Sequence, residues 1–156
     1  MEWLAPISQT VVAQALIASA TLYLLVNAAH IMGIGILFGA IIALDLRVIG
    51  IGRALPLAPA AIYLSRLSAT GLLLAIATGL GLFSVRPVEY AGNIAFLSKL
   101  ALVGLGVVNI LFVHLSAGWR RLRAGAEPGM QLRLGAAISL LIWTAAIIAG
   151  RWIGFL

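Results

Sequence analysis

The chain has 156 residues, 63% of them hydrophobic and 9% charged, with a net charge of +6 and no cysteine. Disulfides, c-type haem attachment and iron–sulfur ligation by this chain are excluded, and metal chemistry is left to His, Met, Lys and carboxylates. Apolar runs repeatedly exceed the ~18 residues that mark a transmembrane helix. The basic residues sit in short loops beside those runs, as orientation signals do, so nucleic acid is not an expected partner.

At ~20 residues per crossing, the length allows four spans and no soluble domain. The expected fold is all-α: one integral membrane four-helix bundle over residues 1–156, with an N-terminal interfacial helix. From Trp3 to Leu44 the chain runs 42 residues without a charge. As one helix this would be ~63 Å long, about twice the hydrocarbon thickness, so it must be subdivided. Residues 6–18, with Pro6 at a plausible helix start and Ser8, Gln9, Thr10 and Gln14 among apolar residues, read as the interfacial helix. The Ala-Ser-Ala at 18–20 resembles a signal-peptidase site. The segment before it carries Glu2 and no positive charge, so the first helix reads as retained.

The spans are expected over about 20–46, 60–83, 96–119 and 132–152, punctuated by Pro56, Pro59, Pro87, Pro128 and several glycines. Arg47 and Arg53 flank the first loop, and Arg120, Arg121, Arg123 and Arg133 surround the third. The opposite side offers mainly Glu2, Arg86, Glu89 and Arg151. The positive-inside rule then puts loops one and three in the cytoplasm of a bacterial inner membrane and both termini outside. Trp3, Tyr90 and Trp152 form one aromatic belt and Trp119 marks the other. Gly35, Gly39 and Ala43 on span one, and Gly71, Ala75 and Gly79 on span two, repeat at four-residue spacing and predict close helix packing.

Tyr23, Asn27 and His30 recur at i, i+4 and i+7 and form one polar stripe on span one, expected to face protein or water. Depths follow from counting back to the loop arginines. His30 lies 17 residues from Arg47, about 25 Å; His114 lies six from Arg120, about 9 Å; Lys99 lies 21 from Arg120, about 31 Å. The two histidines thus differ by roughly 16 Å, whereas axial ligands of one iron lie ~4 Å apart across the metal. A bis-histidine haem is disfavoured, and His30 pairs in depth with Lys99. Asp45, Arg66 and His114 reach similar depth near the inner face, where they are expected to form an ion-paired cluster. Bland readings stand beside these: Lys99 snorkelling, either histidine bonded structurally, Arg66 pinning the bundle through Asp45, and Met32 in the core rather than serving as a soft ligand.

The span-one histidine followed by small residues and "LDLRVIG", the "TGLGLF" at 78–83 and "FLSKLALVGLGVVNILFVH" together resemble a superfamily of small membrane proteins. It is the one around HemJ-type protoporphyrinogen oxidases and CopD-like copper-resistance domains, nearest to its uncharacterised four-span members. The resemblance covers the chain from about residue 20. In HemJ-type proteins a span-one histidine and a span-three lysine are essential and associated with haem b, which implies His30 and Lys99 as metal ligands here. Asn27, Arg66 and His114 are further cofactor-binding candidates, with Arg or Lys groups near the propionates. The tryptophan that follows the family's span-one histidine is absent, with residues 35–38 in its region, so the resemblance implies haem binding more than protoporphyrinogen oxidation.

The expected function is a small haem b protein in redox or electron transfer at the membrane, with enzymatic activity left open. A quinone or redox protein is the expected electron partner, alongside the lipid bilayer and a homo-oligomer. The alternative is a non-catalytic subunit or scaffold of a larger complex. Solute passage would use the same polar groups, but no span shows the interrupted repeat of a transporter.

Overall fold

The computed structural model describes residues 2–52 and 54–155; Arg53, counted above with the first loop, lies outside them. A 3₁₀ helix over Glu2–Gln9 leads into α1 (Val11–Ala18), α2 (Ala20–Ile49), α3 (Leu57–Val85), α4 (Pro87–Gly92), α5 (Ile94–Leu115), α6 (Ala117–Arg123) and α7 (Met130–Trp152). A closing 3₁₀ turn spans Ile153–Phe155. α2, α3, α5 and α7 are long and apolar enough to cross a bilayer. The protein is an all-α, multi-pass membrane four-helix bundle.

The divisions of the uncharged run follow from polar caps. Thr10 Oγ1 accepts from the Ala13 amide at 3.4 Å to start α1. Ser19, in an extended conformation, accepts from the Leu22 amide at 3.2 Å and starts α2. A serine or threonine hydroxyl satisfies amides that the first turn leaves orphaned, so Thr10 and Ser19 mark the two breaks. Pro6 falls inside the 3₁₀ helix rather than at the start of a helix over 6–18, a correction to the sequence reading. α2 ends at Gly50, whose φ of 121° a side chain would strain. The third span stops at Leu115, four residues short of the expected end, because Ser116 turns extended and caps α6 through the Trp119 amide at 3.1 Å.

α2 and α3 pack antiparallel with their backbones in contact. A Cβ on Gly71 would lie 2.5 Å from the Leu37 nitrogen, and one on Gly33 would lie 2.8 Å from the Ala75 nitrogen. Apolar tails gain nothing by leaving lipid, so this backbone approach, which only small residues permit, supplies the helix association. Gly71, Ala75 and Gly79 therefore behave as expected. Gly35, Gly39 and Ala43 do not: all three are exposed, and a Cβ on either glycine meets nothing within 4 Å. The packing glycine of α2 is Gly33, on a different row.

α7 joins the α2–α3 pair to α5, packing on both α2 and α5. Trp143 on α7 is 3% exposed and lies on Gly106 of α5, beside Leu37 and Ile41 of α2. No Cα of α3 comes within 8 Å of α5 among the described residues. That seam is bridged at its ends only by side chains. At the end carrying the termini, Phe83 and Phe96 stack at 5.5 Å; at the end carrying the arginine-rich loops, the basic end, His114 reaches Ser65. A second core of Leu44, Val48, Ala61, Trp119, Leu122, Leu132 and Ala136 closes the basic end.

Candidate functional site

The polar residues fall into two groups along the bundle. Towards the termini, His30 of α2 projects onto α3 where Gly79 leaves room: a Cβ there would lie 3.0 Å from His30 Cε1. His30 Nδ1 is 3.1 Å from Thr78 Oγ1, and that hydroxyl donates to the Leu74 carbonyl at 2.6 Å. With its one proton committed, Thr78 Oγ1 can only accept from the ring, so Nδ1 carries the hydrogen and Nε2 holds a lone pair.

Lys99 of α5 lays its chain over Gly150 of α7, where a Cβ would meet Lys99 Cδ at 3.3 Å. Gly150 makes room for the lysine as Gly79 does for the histidine. Asn27 departs from expectation. Its side chain is exposed on the bundle's outer surface and makes no hydrogen bond with the described residues, so the stripe from Tyr23 to His30 does not face inward as a whole. The reason is angular: a residue three positions before His30 sits some 60° round the helix from it, enough to leave the α3 contact. Tyr23 instead lies beside Tyr90 of α4, whose phenol is pushed above its ordinary value first by burial and then by that neighbour.

At the basic end, His114 of α5 has Nδ1 at 2.9 Å from the Ile110 carbonyl, Nε2 at 3.3 Å from Ser65 Oγ, and its ring 4.2 Å from that of Trp119. Ser65 and Thr78, the α3 partners of the two histidines, are thirteen residues apart, about 20 Å along the helix. This separation excludes a single iron held by both. His114, Arg66 and Asp45 do line one cavity of about 310 Å³, together with residues of α6 and α7. The expected ion-paired cluster is absent, however. The only ion pair among the described residues is the exposed Arg86–Glu89 contact at 3.4 Å. Arg66 is exposed at the cavity edge, because a guanidinium on a long stem is better solvated outside than paired in an apolar interior. Asp45 is 9% exposed, has Ser139 as its side-chain partner, and leaves Oδ2 without a hydrogen bond.

Sequence reasoning missed Thr78, Ser65 and Ser139, which decide what the ionisable groups can do. Ser65 and Thr78 lie on α3 and Ser139 on α7, and only their pairing across helices distinguishes them from other small polar residues. Met32 is exposed and lies outside both groups. Among the described residues no three His, Cys, Asp or Glu side chains gather into a metal-binding group. The donor chemistry at His30 fits the axial attachment of a macrocycle: one imidazole with its second nitrogen fixed by a hydrogen bond. In comparisons with known proteins, no family model, no curated protein and no solved structure matches the chain.

Proposed function

We propose that the protein binds haem b and works in electron transfer within a bacterial inner membrane, with loops one and three cytoplasmic and both termini outside. The observation that carries this reading is the His30 ring: Thr78 Oγ1, its own proton given to Leu74, faces Nδ1 at 3.1 Å, which favours the hydrogen at Nδ1 and the lone pair at Nε2. Metal-ligating histidines characteristically donate their other ring N–H to a fixed acceptor, which sets tautomer and orientation. Gly79 and Gly150 make room for the His30 ring and the Lys99 chain themselves.

When bound, haem would supply one-electron chemistry, with axial ligation and burial tuning its potential. Thr78 would orient the ring, His30 would hold the iron through Nε2, and Lys99 would either ligate as the neutral amine or hold a propionate as the ammonium.

The visible spectrum of the protein purified from haem-supplied cells, as isolated and after dithionite, tests the reading. A Soret band is expected that His30→Ala abolishes and His114→Ala leaves nearly unchanged, with Lys99→Met shifting it if the lysine ligates. A colourless wild type defeats the proposal, and a band lost with His114→Ala but kept with His30→Ala moves it to the other histidine.

A further inference from the structure

The cavity at the basic end is separate from the His30 site, and its hydrogen-bonding groups are unbalanced. The donors around it are largely spent on the protein: Ser65 Oγ donates to the Ala61 carbonyl at 2.6 Å, Ser68 Oγ to the Ser65 carbonyl at 2.9 Å, and Asn109 Nδ2 to the Gly135 carbonyl at 3.1 Å. His114 directs Nδ1 at the Ile110 carbonyl at 2.9 Å, which makes that nitrogen the donor and Nε2 an acceptor. Ser65 Oγ, at 3.3 Å, is a weak partner for that acceptor because its proton is already committed. Asp45 is nine-tenths buried with a carboxyl oxygen unpartnered. The cavity therefore has acceptors left over on two walls, the α2 carboxyl and the α5 imidazole, in a mostly aliphatic space. Buried acceptors without donors are destabilising, so whatever completes the site must bring hydrogens.

Charge narrows the class. Arg66 stands at the cavity edge, and Arg123 acts electrostatically on His114. A cationic head would meet this basic collar, whereas a neutral hydroxyl would not. Shape narrows it further. A volume of about 310 Å³ is at the small end of ligand pockets, enough for one ring and not for a long tail. The seam between α3 and α5, where no Cα pair of the described residues approaches within 8 Å, offers a tail a way towards the lipid. Trp119 in the cavity wall gives a flat ring an aromatic neighbour.

We infer that this cavity is a binding site for the head of a lipid-soluble hydroquinone, whose two hydroxyls donate to the Asp45 carboxyl and to His114 Nε2 while its alkyl tail leaves between α3 and α5. The inference does not rest on haem at His30, since the two sites share no residue and binding can be measured on haem-free protein. The oxidised quinone offers only carbonyl acceptors, so the site with Asp45 ionised discriminates against it.

The test is anaerobic titration calorimetry of the full chain in lipid nanodiscs, with empty nanodiscs as the partition control. The probes are decylhydroquinone, its dimethyl ether, decylbenzoquinone and dodecylammonium. Decylhydroquinone should bind saturably at one site, about tenfold or more tighter than the ether and the quinone, as expected from losing two hydrogen bonds to buried acceptors. Asp45→Leu and His114→Phe should each lower that preference several-fold while leaving ether partitioning unchanged. Equal binding of hydroquinone and ether, as a merely water-filled cavity would give, overturns the inference; so does tighter binding of the quinone or of dodecylammonium. The probe comparison on the wild type decides the matter even if either variant fails to fold.

Discussion

Thr78 Oγ1 accepts the Nδ1 hydrogen of His30 across the α2–α3 interface at 3.1 Å while giving its own proton to Leu74. A hydroxyl within α3 thereby fixes the tautomer of an imidazole on α2. Loss of an outer-shell partner of this kind typically costs 10–100-fold in metal affinity. Thr78→Val should lower haem occupancy by roughly that factor while the helix content stays at the wild-type value, measured by Soret absorbance per protein and circular dichroism. Unchanged occupancy would show that the hydroxyl does not orient the ring.

Gly71→Val should disrupt the bundle, because a Cβ already meets the α2 backbone at 2.5 Å and neither backbone can yield without separating the helices. Gly39→Ala should be silent, as nothing lies within 4 Å. Yield of monodisperse protein in detergent, compared across both variants, checks the pair. Equal yields would mean that the two glycine rows are not distinguished as the structure has them.

Asn93 Oδ1 accepts from the Ala95 and Phe96 amides at 3.0 and 3.1 Å and so caps α5. Asn93→Ala should destabilise the protein by about 1 kcal/mol, read as a lower thermal midpoint, and Asn93→Asp should recover most of it because the carboxylate also accepts at a helix N-terminus.

Arg66→Leu should leave folded yield close to that of the wild type, since no acidic partner holds the guanidinium and it stands exposed at the cavity edge. Arg86→Leu should likewise be mild, its exposed pair with Glu89 being worth roughly 0–1 kcal/mol. A collapse in yield for Arg66→Leu alone would reveal a partner that the bundle by itself does not show.

A reporter fused after residue 156 should be active only outside the cytoplasm, as the arginines around loops one and three imply. A cytoplasmic signal would invert the assigned orientation.

The spans were legible because apolar length is a one-dimensional property: α2 starts at Ala20 as expected, and the cap at Ser116 moved the end of the third span by only four residues. The separation of the two histidines was legible for a related reason: depth in a membrane follows from counting along rigid helices, and Thr78 and Ser65, their partners on α3, lie thirteen residues apart. Rotation about the helix axis was not. Asn27 and Gly35 lie at the right heights yet face outward, and Gly33, two residues from Gly35, makes the contact instead. The sequence spacing that groups residues on a face does not say which face meets a neighbour, because lipid and protein interior are equally apolar. The absence of an ion pair at Asp45 was missed for another reason, since shared depth suggested Arg66 as its partner and only the outward course of that side chain rules it out.

The joining of α3 to α5 by side chains alone bears on how the polypeptide is assembled after insertion. α2 with α3, and α5 with α7, are two helical hairpins that each possess a continuous interface of their own, whereas between the hairpins only α2 and α7 run in contact along their lengths. Each hairpin can therefore form soon after its second helix enters the bilayer, independently of the other. The space bounded by Asp45, Ser65, His114 and Ser139 draws on all four long helices and comes into being only when the hairpins dock. A ligand held there would act as a wedge between them and favour the docked arrangement over two hairpins diffusing apart in the membrane.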